Sequence, residues 1–203
     1  MRLLPLRFAM KSIQLLCAFC FLVAGAIAKP IIIIDAGHGG YDRGGMPGQR
    51  VPEKGYTLDV AKRLDSVLRA AGYRTILTRR TDDFVTLGDR VAISNSNHGA
   101  VFVSIHFNGA DNFDAHGIET YYYSGRASGA LAAAIHSKVL RATGEIDRRV
   151  RTRPLFVLRR NSNTAVLCEL GFLTNRDETR RIDTGSYRQK LAEAVAAGIR
   201  SRY

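Results

Sequence analysis

The chain has 203 residues, 46% hydrophobic and 24% charged, which excludes a disordered polymer and suits one packed domain better than two. Its 30 basic residues outnumber 18 acidic ones, giving a formal charge of +12 that favours anionic partners.

Residues 1–28 read as a secretory signal peptide. Arg2, Arg7 and Lys11 make a basic start, an apolar run follows from Ile13, and Ala26-Ile27-Ala28 forms a small-x-small cleavage site. The rival reading is an uncleaved anchor, but the run is short for a membrane span. Cys17 and Cys20 lie inside it without the small preceding residue of a lipoprotein signal. Cleavage after Ala28 leaves a basic domain, residues 29–203, with one cysteine, Cys168. No internal disulfide is then possible, so core packing or a metal must hold the domain together. Charge alone would admit nucleic acid, but export argues against it. An anionic cell-wall polymer is the expected partner, with no membrane contact once the signal is removed.

In chain order, the β-branched run Ile31–Asp35 predicts a buried strand feeding a glycine-rich loop from Ala36 to about Lys54. Val60, Leu64, Val67, Leu68 and Ala71 predict a helix stopped by Gly72. Arg74–Leu77 reads as a short strand, and Leu87 with Val91 marks a helix ending near Asn97. Val101–Ile105 and Ile118–Tyr123 predict two more strands. Leu131, Ile135 and Val139 share one face of a helix that stops near Gly144. Phe156–Leu158 and Ala165–Leu167 read as short strands, and Leu191, Val195 and Ile199 give a terminal helix. Strands alternating with helices predict an α/β layered domain.

Three polar residues follow apolar strands: His38, His106 and Glu169. Ligands of open α/β sheets bind beyond the carboxyl ends of strands, so the three can share one rim. The segment Asp35-Ala36-Gly37-His38-Gly39-Gly40 does not fit a dinucleotide loop, which opens directly into a helix. His106, in Ser104-Ile105-His106-Phe107-Asn108, is a ligand candidate or a satisfied core histidine. Glu169, flanked by Cys168 and Leu170, is poorly solvated; it serves proton transfer or pairs with an arginine. Glu53 by itself reads as a solvated helix-start acid. Two histidines and a glutamate form a known catalytic zinc set, although no H-E-x-x-H helix is present.

Together the words IDAGHGG, EKG, FVSIHFN, GIETYYY and VLCELGFLTN resemble the zinc-dependent N-acetylmuramoyl-L-alanine amidases of the amidase-3 type, from about residue 31 to the end. The resemblance implies an α/β fold around a largely six-stranded mixed sheet flanked by helices. It implies His38, Glu53 and His106 as ligands of one Zn2+ ion and Glu169 as the acid/base. The expected substrate is peptidoglycan, cut between N-acetylmuramic acid and L-alanine by an exported monomer of the periplasm or cell envelope. The alternatives are a zinc peptidase acting within the stem peptide and a non-catalytic wall-binding module. Some family members carry an inserted helix that blocks the zinc. Only an ordinary helix and strand are expected between Tyr123 and Val166, so an open site is expected here.

The remaining polar residues have blander readings. Asn108 orients a ligand or is a turn residue. Phe107, where the family usually writes alanine, narrows the site mouth or offers a stacking surface. Arg79 and Arg90 are expected to pair with nearby acids such as Asp82 and Asp83, and His98, His116 and His136 to lie on loop or helix surfaces. Cys168 is expected to be a small core residue. The basic run Arg148, Arg149, Arg151 and Arg153, with Arg159 and Arg160, reads as a solvated face or a grip on anionic polymer.

Overall fold

The computed structural model describes residues 29–46, 49 and 51–203. The expected signal segment, residues 1–28, lies outside them, as do Pro47 and Gly48 of the glycine-rich loop.

Six strands form one mixed sheet: β1 (Ile32–Ala36), β2 (Thr75–Leu77), β3 (Val101–Asn108), β4 (Ile118–Tyr122), β5 (Asp147–Thr152) and β6 (Thr164–Phe172). Their spatial order is β2-β1-β3-β6-β4-β5. β2, β1, β3 and β6 run parallel, whereas β4 is antiparallel to β6 and β5 follows β4. The central strands β1, β3 and β6 are nearly continuous apolar runs because both faces of the sheet are covered there.

The two faces are covered unequally. On the thicker side lie α1 (Glu53–Ala70), α3 (Arg126–Thr143) and α6 (Gly185–Arg200). Their apolar stripes, including Leu64, Leu68, Leu131, Ile135, Leu191 and Val195, pack on Ile32, Ile34, Val103, Ile105, Val166 and Cys168. Each such side chain contributes about 1.5–3 kcal/mol on leaving water. The thinner side has only α2 (Leu87–Asn95) and the single turn α4 (Phe156–Arg159). There Val91, Val157 and Leu158 cover Ile33, Phe102, Ala165 and Leu167. Alternation along β3 and β6 places His106 and Glu169 on this thinner side, beyond its apolar patch.

One expected element differs, and a strand and a helix are additional. Phe156–Leu158 is a helical turn, and the strand at that point of the sheet is instead Asp147–Thr152, within the basic run. β5 is an edge strand without an apolar face, so it carries no hydrophobic alternation to read. The short helix α5 (Arg176–Ile182) is additional; Asn175 caps it by accepting from the Asp177 and Glu178 N–H groups. Residues 123–166 contain α3, β5 and α4 and no further helix.

Candidate metal and acid–base site

The site is assembled from the loop after β1, the carboxyl-terminal halves of β3 and β6, and one helix start. His38 follows β1 in the left-handed region, at φ +60. That conformation costs energy for any residue with a side chain, so the surroundings must impose it. Two buried arginines do so. Arg90 forms a 2.7 Å ion pair with buried Asp35 and donates to the carbonyls of Ala36 and His38. Arg79 donates to the carbonyls of Ala36, Gly37 and Lys54 and to the Thr57 hydroxyl. Asp35 is completed by the Thr78 and Ser104 hydroxyls. Arg90 thus pairs with an acid, but with Asp35 rather than Asp82 or Asp83, and Arg79 bonds carbonyls instead. Both arginines face inward because the loop carbonyls need donors, while Asp82 pairs with Lys54.

Glu53 opens α1 and is buried, against its single-residue reading as a solvated acid. Its Oε2 lies 3.0 Å from His38 Nε2, and its Oε1 lies 2.9 Å from His106 Nδ1. The Phe107 N–H donates to Oε1 at 2.9 Å and fixes the carboxylate. On its other side, His38 Nδ1 lies 2.9 Å from Asp42 Oδ2. Two glycines make this closeness possible. A Cβ on Gly37 would stand 2.3 Å from the His106 ring, and one on Gly44 2.5 Å from the His38 ring.

One ligand atom from each of His38, Glu53 and His106 lies within 4.8 Å of the others, a spacing that can hold a metal ion. The donor set, two imidazole nitrogens and a carboxylate oxygen, is one that catalytic zinc accepts. Electrostatics agree with a cation at this point. Burial alone would lower the His38 and His106 pKa values, but the Glu53 carboxylate outweighs it and raises both, His106 to about 9. Burial alone would raise Glu53, and the two histidines hold it low instead. A divalent cation would replace those shared protons.

Glu169 pairs with His106 across β3 and β6 and with Glu119 across β6 and β4. The three side chains therefore stand in one row on the thinner face. Burial pushes the Glu169 carboxyl up to about 8, opposed by His106 and reinforced by the charges of Glu53 and Glu119. Its Oε2 is shielded and makes no hydrogen bond, so an unpaired carboxylate oxygen stands buried beside the cluster. Glu119 was not singled out in the sequence, where GIETYYY reads as strand; it is buried and accepts from Asn108 and Tyr121.

His38 and His106 open into a cavity of about 210 Å3, whose far wall is Phe84, Val85, Leu87, Leu155, Phe156 and Val157. A larger depression near Phe113 and Arg176 holds no comparable cluster of titratable groups. Phe107 does not narrow the mouth: it is buried in the core with its ring edge toward Tyr56. His136 is also buried, between Thr120 and Asp147, rather than on the surface. Cys168 is a fully buried core thiol.

Comparison with known proteins agrees with this architecture. Residues 32–201 match the family described as N-acetylmuramoyl-L-alanine amidase. The uncharacterized protein YqiI of Bacillus subtilis is 35% identical over 206 residues, 100% of this chain and 99% of that one. N-acetylmuramoyl-L-alanine amidase LytC of the same organism is 35% identical over 188 residues, covering 89% of this chain but only 38% of LytC. The solved structure of the N-acetylmuramoyl-L-alanine amidase AmiC2 of Nostoc punctiforme matches with a TM-score of 0.80 at 37% identity, over 86% of this chain and 97% of that one.

Proposed function

The chain belongs to the N-acetylmuramoyl-L-alanine amidase family, and from that premise we propose that it hydrolyses the amide joining N-acetylmuramic acid to L-alanine in peptidoglycan. The observation that carries this reading is the convergence of the His38, Glu53 and His106 cluster with the shielded Glu169 carboxyl at one strand rim.

We assign His38, Glu53 and His106 as the ligands of one zinc ion. Such an ion supplies Lewis acidity, which acidifies water and polarises a carbonyl. Asp42 orients the His38 ring through the nitrogen turned away from Glu53, a common role for a carboxylate beside a ligating histidine. Glu169 accepts a proton from the attacking water and returns it to the departing L-alanine nitrogen. In the metal-free protein its pKa stands at about 8. A divalent cation nearby lowers it, toward the range where one carboxyl serves in turn as base and acid. The Cys168 thiol takes no part, since burial pushes its pKa up and keeps it protonated.

Residues 1–28 fit an export signal, so the working protein is residues 29–203, in the periplasm or cell envelope. No helix among the described residues is long and apolar enough to cross a membrane. The reading is tested by mass spectrometry of purified peptidoglycan digested with zinc or with a chelator. Zinc-dependent release of intact stem peptides beginning in free L-alanine is expected. Cuts within the peptide, or binding without any cut, would overturn it.

A further inference from the structure

The edge strand β5 is irregular at one place. Ile118 faces Asp147 and Thr120 faces Val150, so Glu119 alone stands opposite two residues, Arg148 and Arg149. Arg149 lies in the left-handed region, at φ +82. This β-bulge is anchored from two sides. Asp147 Oδ1 accepts from the Arg149 N–H at 2.7 Å and lies 2.8 Å from Nε2 of buried His136 on α3. Backbone strain persists where its surroundings over-determine it, and bulges near active sites serve to re-aim side chains.

Here two arginines are re-aimed. Arg148 and Arg151 are three residues apart and would point to opposite faces of a regular strand. With the extra residue between them they turn to the same face, their Nε atoms 3.5 and 3.7 Å from Glu119 Oε1. Arg148 also lies over the Phe172 ring, and its shielded Nε makes no hydrogen bond. The other Glu119 oxygen is occupied by the Asn108 amide and the Tyr121 hydroxyl. Two guanidinium groups thus share the Glu119 carboxylate, and one positive charge is left over at the β5 end of the row.

We propose that Arg148 and Arg151 bind the peptide half of the substrate, holding the free carboxylate nearest the scissile amide; the proposal rests on the amidase reading above. The two halves of that substrate differ in charge. The lactyl carboxyl of muramic acid is consumed in the amide, so the glycan half is uncharged. The peptide half keeps carboxylates, the first on its second residue, a glutamate linked through its side chain. The surroundings differ in the same sense: Phe84, Leu87, Leu155 and Phe156 line the cavity beside His38 and His106, and the arginine pair stands on the β5 edge, two strands from β6. Strands lie about 4.8 Å apart, which places the β5 backbone roughly 10 Å from that of β6. One extended residue, about 3.5 Å, and an inward-reaching arginine bridge that gap. Guanidinium suits the task because its planar donors match a carboxylate in pairs.

The test uses two peptidoglycans that differ only in whether the second stem residue carries an α-carboxylate or an α-carboxamide. The zinc-loaded protein should show a kcat/KM about tenfold higher on the carboxylate form, the size of one charge-assisted contact. In Arg151→Ala that ratio should fall to near one, chiefly through KM, and Arg151→Lys should recover part of it. Arg151 is the better probe because it is more exposed than Arg148 and stacks on no core ring. Equal rates of the unaltered protein on both substrates, or an unchanged ratio in Arg151→Ala, would overturn the carboxylate site and leave the amidase reading intact. No cleavage of either peptidoglycan would overturn the amidase reading. Calorimetric titration with the free carboxylate-bearing stem peptide then still decides the arginine pair, because undiminished binding by Arg151→Ala refutes it.

Discussion

Gly37 shows how one residue governs the site without touching a reacting atom. Its missing side chain leaves the space that the His106 ring fills. Gly37→Ala is expected to displace that ring and weaken zinc binding by about 10–100-fold, as loss of ligand support does elsewhere, while far-ultraviolet circular dichroism stays unchanged. A metal titration of the folded variant checks this. His38→Ala, which removes a proposed ligand outright, should lose both zinc and turnover. Asp35 and Arg90 are a buried pair beneath the same loop. Arg90→Ala leaves the Asp35 charge without its partner and should cost about 3–5 kcal/mol in denaturant unfolding. At this scale the sequence was uneven. His38, His106 and Glu169 stood out because each follows an apolar strand. Glu53, Glu119 and the inward turn of Arg79 and Arg90 did not, because their partners lie dozens of residues away and only the fold brings them together.

At the scale of elements, legibility followed apolar periodicity. β1, β3 and the helices α1, α3 and α6 were visible because their buried faces repeat at strand or helix spacing. β5 was not, because as a charged edge strand it turns only one apolar side chain, Val150, to the core. α5 is held by its cap and by Glu178, whose two oxygens accept from the Gly117 and Phe172 N–H groups at 3.2 and 2.6 Å. Both acceptors are needed, since each N–H is buried. Glu178→Gln can satisfy only one of them and should destabilise the protein by about 1–3 kcal/mol. Equilibrium unfolding measures this loss, and an unchanged midpoint would contradict the proposed anchoring.

At the scale of the whole molecule, the unequal covering of the sheet explains where chemistry is possible. Three long helices close one face, and α2 with the single turn α4 leaves the strand ends of the other open. Between β4 and β6 the chain adds no helix that blocks this opening, so activity is expected without a separate activator protein. A large increase on adding an envelope activator would contradict this. A metal bound by His38, Glu53 and His106 would couple the site to stability. Without it, the folded state holds protons on His106 up to about pH 9, against an ordinary value of 6.5. That contribution is fully present below pH 6.5 and is lost as pH rises through 9. Zinc would replace those protons and bind more tightly as pH rises. The difference in thermal midpoint between zinc-loaded and zinc-free protein should therefore widen from pH 6.5 to 9.

The central claim is that Glu169 transfers the proton beside a metal held by three other side chains. It is tested most directly by the rate at which zinc-loaded Glu169→Gln releases stem peptides from peptidoglycan. A fall of about 10²–10⁴-fold is expected, the usual contribution of a general acid–base, with zinc content unchanged. A well-folded, zinc-loaded Glu169→Gln protein that releases peptide at close to the original rate would contradict it.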